Sequence, residues 1–274
     1  MPFLAGIVTF NPEMQRLTEN INAIKSQVDR VLIVDNGSKN LKEIRETFKN
    51  LEIIALGANL GIAAALNKIG HYAIQNHYEW FLTLDQDTVV LEHLMSTYQR
   101  YLDLPQVGML TCRYQDVNAE QIQLSGDDYQ EVEDAITSAG LMNTAIFQKT
   151  KGFDEKMFID FVDHDMNYQL TELGYKTIQI NLIGLLHEVG QAKTVKRFGR
   201  DFYVLNHSPF RKYYMIRNAI YICKKYGSKK RGKYLLFIRN EFVRVLVAEE
   251  NRWNKLKTML KGLLAGFVMK VDKK

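Results

Sequence analysis

Two cysteines in 274 residues, Cys112 and Cys223, lie far apart and belong to no metal-type pair. A disulfide framework is therefore not expected, and both read as reduced thiols of an intracellular protein. Only four prolines and no low-complexity run leave no basis for a sizeable disordered region. No internal repeat has a solenoid or propeller period. No stretch approaches the ~18 consecutive apolar residues of a membrane span. The opening MPFLAGIVTFNPEM has no basic n-region and too short an apolar run for a signal peptide. These absences predict a cytoplasmic globular protein, long enough for one large domain or a domain with an appendage.

Charge is present but unevenly spread. Residues 1–190 carry 14 Lys and Arg against 26 Asp and Glu, a net of −12; residues 191–274 carry 22 against 5, a net of +17. An acidic body implies metal or substrate handling, and a basic tail implies a partner bearing phosphate: a lipid headgroup, a lipid-linked diphosphate or a nucleic acid.

The first hundred residues alternate short apolar runs with amphipathic segments. Phe3–Phe10, Val31–Val34, Leu51–Leu56 and Trp80–Leu84 read as strands, and helical patterns lie between them. Such alternation predicts a parallel sheet covered on both faces, which binds ligands beyond the carboxyl ends of its strands. Asn11, Asp35, Asn59, Asp85 and Asp87 all fall at or just after those ends. Further on, Val107–Tyr114 reads as a strand, and Glu120–Gly126 and Ile136–Ala139 as strands near a sheet edge. Phe161–Leu173 reads as a helix, and Lys176–Ile180 and Ile183–Leu186 as closing strands. From about Pro209 the pattern is helical. In the last helix Trp253, Leu256, Leu260, Leu263 and Phe267 recur at spacings of three and four, with lysines opposite.

Asp85-Gln86-Asp87 is the sharpest local feature. Two carboxylates one residue apart at the end of an uncharged strand can bind a hard divalent cation that bridges to diphosphate oxygens; a solvated turn is the plain alternative. Asp35 either forms a turn with Asn36-Gly37 or accepts a hydrogen bond from a base or ribose. Asp160, Asp163 and Asp165 crowd a segment interleaved with Phe153, Phe158 and Phe161. Capping of a helix N-terminus accounts for one or two of these acids. His187, after Leu185-Leu186, is either structural or a neutral imidazole completing a carboxylate metal site.

In order along the chain stand Val8-Thr9-Phe10-Asn11, Val34-Asp35-Asn36-Gly37-Ser38, Asn59-Leu60-Gly61 through Asn67, and Leu84-Asp85-Gln86-Asp87. Gly152-Phe153-Asp154-Glu155 with Phe158 and Asp163, His187-Glu188-Val189-Gly190, and Arg211-Lys212-Tyr213-Tyr214 with Arg217-Asn218 follow. Together these resemble the family 2 glycosyltransferases, and among them the rhamnosyltransferase-like branch. The resemblance implies an α/β GT-A fold, with a Rossmann-like, mostly parallel central sheet flanked by helices and a C-terminal helical extension. It divides the chain into a catalytic domain over 1–207 and a basic helical region over 208–274 that meets membrane or a second copy.

Donor contacts are implied at Thr9, Asn11, Asp35, Asn59, Gly61, Asp85, Gln86, Arg211 and Arg217. Asp85, Asp87 and His187 are the implied ligands of Mg²⁺ or Mn²⁺, and Asp163 the catalytic base. The implied reaction is inverting transfer of a sugar, L-rhamnose from dTDP-rhamnose, from a nucleotide-diphosphate donor to a saccharide or lipid-linked acceptor in cell-surface polysaccharide synthesis. The implied setting is the cytoplasm, at the inner face of the cell membrane, with an anionic membrane surface or a homodimer as partner.

Two other readings compete. Asp85-Gln86-Asp87-Thr88-Val89 fits the D-x-D-x-[TV] pattern of haloacid-dehalogenase-type phosphatases, but that motif normally ends the first strand of its fold and three strands precede it here. A non-catalytic polyanion binder would use the basic tail, which has no recognised nucleic-acid module; no nucleic-acid partner is expected.

Overall fold

The structure, a computed structural model, describes residues 2–116, 124, 126–187, 193–197 and 199–271. The side chains of Asp116, His187, Lys193 and Arg200 lie outside that description. Two compact units form, one of residues 1–158 and 162–188, the other of residues 159–161 and 189–274.

The first unit is built on a nine-stranded sheet. Strands β1 (Phe3–Thr9), β2 (Arg30–Asp35), β3 (Glu52–Ala55) and β4 (Trp80–Asp85) alternate with helices α1 (Met14–Ile24), α2 (Leu41–Thr47) and α3 (Ile62–Gln75). They lie in the order β3-β2-β1-β4, all parallel. β1 is buried along its whole length, as a strand covered on both faces must be, so its sequence is a continuous apolar run.

β5 (Val89–Val90), α4 (Leu94–Gln99), β6 (Val107–Asp116), β7 (Tyr129–Glu131), β8 (Gly140–Asn143) and α5 (Thr144–Phe147) follow. A short 3₁₀ turn at Glu155–Met157 then leads to α6 (Val162–Glu172) and β9 (Lys176–His187). The sheet continues from β4 through β8, β6 and β9 to β5, with β7 also on β9. One core joins alternate residues of the strands (Ala5, Ile7, Ile33, Leu82, Leu84) to Leu17, Ile21 and Ile24 of α1 and Leu94 and Tyr98 of α4. Cys112 sits in that core, where burial pushes its thiol up to about 11, so it packs as a small apolar side chain.

Two expectations are corrected. Ile136–Ala139 is not a strand: Thr83 Oγ1 donates to Thr137 O, Ala139 takes a positive φ, and pairing with β4 begins only at Gly140. The expected pair Lys176–Ile180 and Ile183–Leu186 is one continuous strand, β9, whose pairing with β6 is irregular between Thr111 and Tyr114. That irregularity disturbs the alternation from which strands are read. Glu120–Gly126 falls mostly outside the described residues.

The second unit contains a hairpin, β10 (Lys193–Arg197) with β11 (Arg200–Val204), and three helices, α7 (Pro209–Tyr226), α8 (Ser228–Val247) and α9 (Arg252–Val268). Ser208 caps α7, accepting from Arg211 N, and Pro209 occupies its first turn. The helices are joined by a buried charge network. Lys212 Nζ lies 2.6 Å from carboxylate oxygens of both Glu241 and Glu249, and Lys255 Nζ lies 2.9 Å from Glu249. Each buried charge is matched, as burial requires. No helix among the described residues is long and apolar enough to cross a membrane.

Candidate active site

Register brings the expected residues together. Thr9, the last residue of β1, pairs with Asp35, the last of β2, while Val8 pairs with Asp85, the last of β4. Three carboxyl ends therefore lie in one row. Loop side chains stitch the row. Phe10 N donates to Gln86 Oε1 (2.8 Å), Asn11 N donates to Ser38 Oγ (2.8 Å), and Lys39 N donates to Asn11 Oδ1 (2.8 Å). Asn20 Nδ2 and Arg16 Nε, both from α1, donate to the main-chain oxygens of Asp85 and Asp87 at 2.7 and 3.0 Å.

Asp35 is fully buried. Its Oδ1 accepts from Thr9 Oγ1 (3.1 Å) and its Oδ2 from Gly37 N and Ser38 N (3.1 and 3.0 Å). Such a carboxylate shapes the loop 36–38 by satisfying its donors. Next to it Asn36, also buried, donates to Asn59 Oδ1 (3.1 Å) and accepts from Leu60 N (2.8 Å), while Asn59 Oδ1 accepts from Gly61 N (3.0 Å). The loops after β2 and β3 are thus one hydrogen-bonded piece. Gly61 has φ +91°, and a Cβ there would lie 2.6 Å from Phe158 O, the atom that accepts from Ile62 N (2.7 Å).

Asp85 is half-buried and Asp87 exposed. Val89 of β5 pairs with Leu186 of β9, so the backbone carries His187 one residue further, toward the Asp85–Asp87 end. Two carboxylates and an imidazole suit Mg²⁺ or Mn²⁺. Among the described residues alone no cluster of three ligating side chains occurs; the side chain of His187 lies outside them.

Asp163 stands in the first turn of α6, half-exposed, its Oδ1 accepting from His164 N. Asp165 is fully buried and accepts from Gln169 Nε2 (2.9 Å). On the same helix His164 Nδ1 lies 3.2 Å from Asp134 Oδ1, which also accepts from Tyr168 OH (3.1 Å). The approach to α6 is strained: Phe158, Asp160 and Phe161 all have positive φ. Strain of this kind, of order 1–3 kcal/mol per residue, persists only where surroundings enforce it. Within the second unit, Asn218 Nδ2 donates to the main-chain oxygens of Ile159 and Asp160, and the Phe161 ring packs edge-on against Tyr234 and Phe237. In that unit too, Arg211 Nε donates to Asp160 Oδ1 (3.0 Å), and the Arg217 guanidinium lies over the Tyr214 ring at 4.5 Å.

Asn36 and Asn67 stand inside the family-like runs of the sequence, which assign neither a role of its own. Asn67, on α3, donates to Phe153 O and Glu155 Oε1 and accepts from Phe153 N, so one amide holds the segment leading to α6. Its signal was a polar residue on the apolar face of an Ala-rich helix.

The glycosyl transferase family 2 model matches residues 5–148, the stretch that builds this row of strand ends. The chain belongs to glycosyl transferase family 2. The family 2 enzyme is 27% identical over 281 residues to the dTDP-rhamnosyl transferase RfbF of Shigella flexneri, spanning 95% of this chain and 93% of that protein. Among solved structures it resembles TarS 1-349 of S. aureus in complex with UDP, with a TM-score of 0.57, 16% identity, and 98% and 72% of the two chains covered. It also resembles GalNAc-T7 with UDP, GalNAc and Mn²⁺, with a TM-score of 0.61, 9% identity, and 82% and 48% covered. The fold of the family 2 enzyme is GT-A, and its activity is glycosyl transfer. The phosphatase reading of Asp85–Val89 is set aside: β4, which carries Asp85, is the fourth strand of this sheet.

Proposed function

We propose that the enzyme transfers L-rhamnose from dTDP-rhamnose, with inversion, to a hydroxyl of a lipid-linked saccharide in cell-surface polysaccharide synthesis, working in the cytoplasm at the inner face of the cell membrane. The observation that carries a nucleotide-sugar site is the row Thr9–Asp35–Asp85, since open α/β sheets bind nucleotides at such strand ends. The choice of sugar follows the relative named a dTDP-rhamnosyl transferase, matched over 95% of the chain. Residues 1–207 are proposed as the catalytic domain and 208–274 as a basic helical region.

In this reading Asn11, Asn59 and Gly61 line the nucleoside pocket, and the fully buried pair Thr9 and Asp35 acts through the loop 36–38 that Asp35 holds. Gln86 fixes the end of β4 against β1. Asp85, Asp87 and His187 would hold Mg²⁺ or Mn²⁺, which when bound offsets charge on the leaving diphosphate. Inversion requires in-line attack by the acceptor hydroxyl, whose proton passes to the carboxylate of Asp163. Asn67 keeps the chain before α6 in place, so that this carboxylate is presented in one geometry.

Calorimetric titration of dTDP, UDP and GDP, with and without Mn²⁺, tests the reading on wild type and Asp87→Ala. The expected result is tight dTDP binding that needs both the metal and Asp87. Binding of none of the three nucleotides would overturn it.

A further inference from the structure

Helix α9 buries the wrong residues for an ordinary packed helix. The side it turns inward is Lys255, Met259, Gly262 and Gly266. The two glycines let it lie directly on α7: a Cβ at Gly262 would strike Tyr213 O, and one at Gly266 would lie 2.7 Å from Arg217 O. Lys255 is spent inside, on Glu249. Lys224 of α7 donates to Phe267 O (2.7 Å) and Gly266 O (3.2 Å), closing the C-terminal end of α9. Meanwhile Trp253, Leu260, Leu264 and Phe267 are 73%, 52%, 67% and 61% exposed. At 100° per residue they form a single stripe about 140° around the helix from the packed face. Of the stripe read from the sequence, Trp253, Leu260 and Phe267 thus face outward, while Leu256 and Leu263 are half-buried and Leu264 takes their place on the outer face.

We propose that this stripe docks on an anionic lipid bilayer, lying in the interface without crossing it. Charge selects the partner. Lys257 and Lys261 run along one edge of the stripe and both are exposed. Residues 251–271 contain no acid at all. Of the three acids in residues 209–271, Glu241 and Glu249 are buried in ion pairs, and Glu250 lies outside α9. A second copy of this chain laid on the same face would bring its lysines against these lysines, whereas phosphate headgroups complement them. Trp253, with an apolar body and a polar N–H, suits the boundary between acyl chains and water.

The inference deepens the proposed membrane location by naming the surface responsible; it does not depend on the donor or on the transfer chemistry. The test is co-sedimentation of the full chain with vesicles of phosphatidylcholine alone and of phosphatidylcholine with 30% phosphatidylglycerol. Wild type is compared with Leu264→Ser/Phe267→Ser and Lys257→Glu/Lys261→Glu, and nucleotide titration serves as the control for folding. Wild type should bind only the anionic vesicles, and both double variants should bind them at least tenfold more weakly while nucleotide affinity is unchanged. Binding that survives in both variants would overturn the assignment of the surface and leave the membrane location standing. Absence of wild-type binding, with a dimer in solution that Leu264→Ser/Phe267→Ser dissociates, would overturn both and assign the stripe to a second copy.

Discussion

Single atoms decide what Asp35 does. Three donors converge on its carboxylate and none of its surface meets solvent. Asp35→Asn replaces one acceptor by an amide NH₂, which faces the Gly37 and Ser38 N–H groups if it turns to one side and obliges the Thr9 hydroxyl to accept if it turns to the other. A loss of about 2 kcal/mol is expected, read as a lower urea midpoint at unchanged slope, together with weaker nucleotide binding. At Asp163 the expectation is the opposite pattern. Asp163→Asn should leave donor affinity and stability near wild type and lower kcat by roughly 10²–10⁴, measured by steady-state transfer and calorimetry on one preparation. The acids at strand ends were legible in the sequence because a charge that terminates an apolar run has few places to be. Asn36 and Asn67 were not legible as site residues. Their importance lies in main-chain groups from distant segments, Leu60 N for one and Phe153 N and O for the other, and no local pattern announces such partners.

Elements show the same division between what periodicity reveals and what only pairing reveals. β1, β2 and β4 were read from their apolar runs almost to the residue because each is buried on both faces of a parallel sheet, while β3, half-buried at the sheet edge, was read from Ile53-Ile54. The later strands were harder: β8 is four residues long, β7 is three exposed residues, and β9 carries an irregular register opposite β6. Nothing in the sequence near Ile136 separates a turn from a strand; Thr83 Oγ1 bonding Thr137 O does. The junction into α3 can be tested at Gly61. Its positive φ and the position of Phe158 O leave no room for a methyl group. Gly61→Ala should cost about 2 kcal/mol, seen as a lower thermal midpoint. The same substitution at Gly57, whose added Cβ would meet nothing within 4 Å although its φ is +77°, isolates the backbone share of that loss.

For the whole chain, acid should act chiefly through the second unit, where titratable groups are folded into charge-matched surroundings. His207 is lowered to about 4, by burial first and then by the cations Arg211 and Lys212 beside it. Burial on its own would raise Glu249, but hydrogen bonds from Lys212 and Lys255 outweigh it and hold the carboxyl below its ordinary value. Both groups bind protons more readily unfolded than folded, so stability falls with falling pH. The His207 share is complete above about pH 6.5 and is lost as pH falls toward about 4. The Glu249 share is lost lower, below the ordinary carboxyl value. Thermal midpoints taken from pH 7.5 to 3.5 should therefore decline in two stages. His207→Gln, which keeps a neutral polar side chain, should flatten the first stage and leave the second. If His207→Gln declines as wild type does between pH 6.5 and 4, His207 is not what acid acts on.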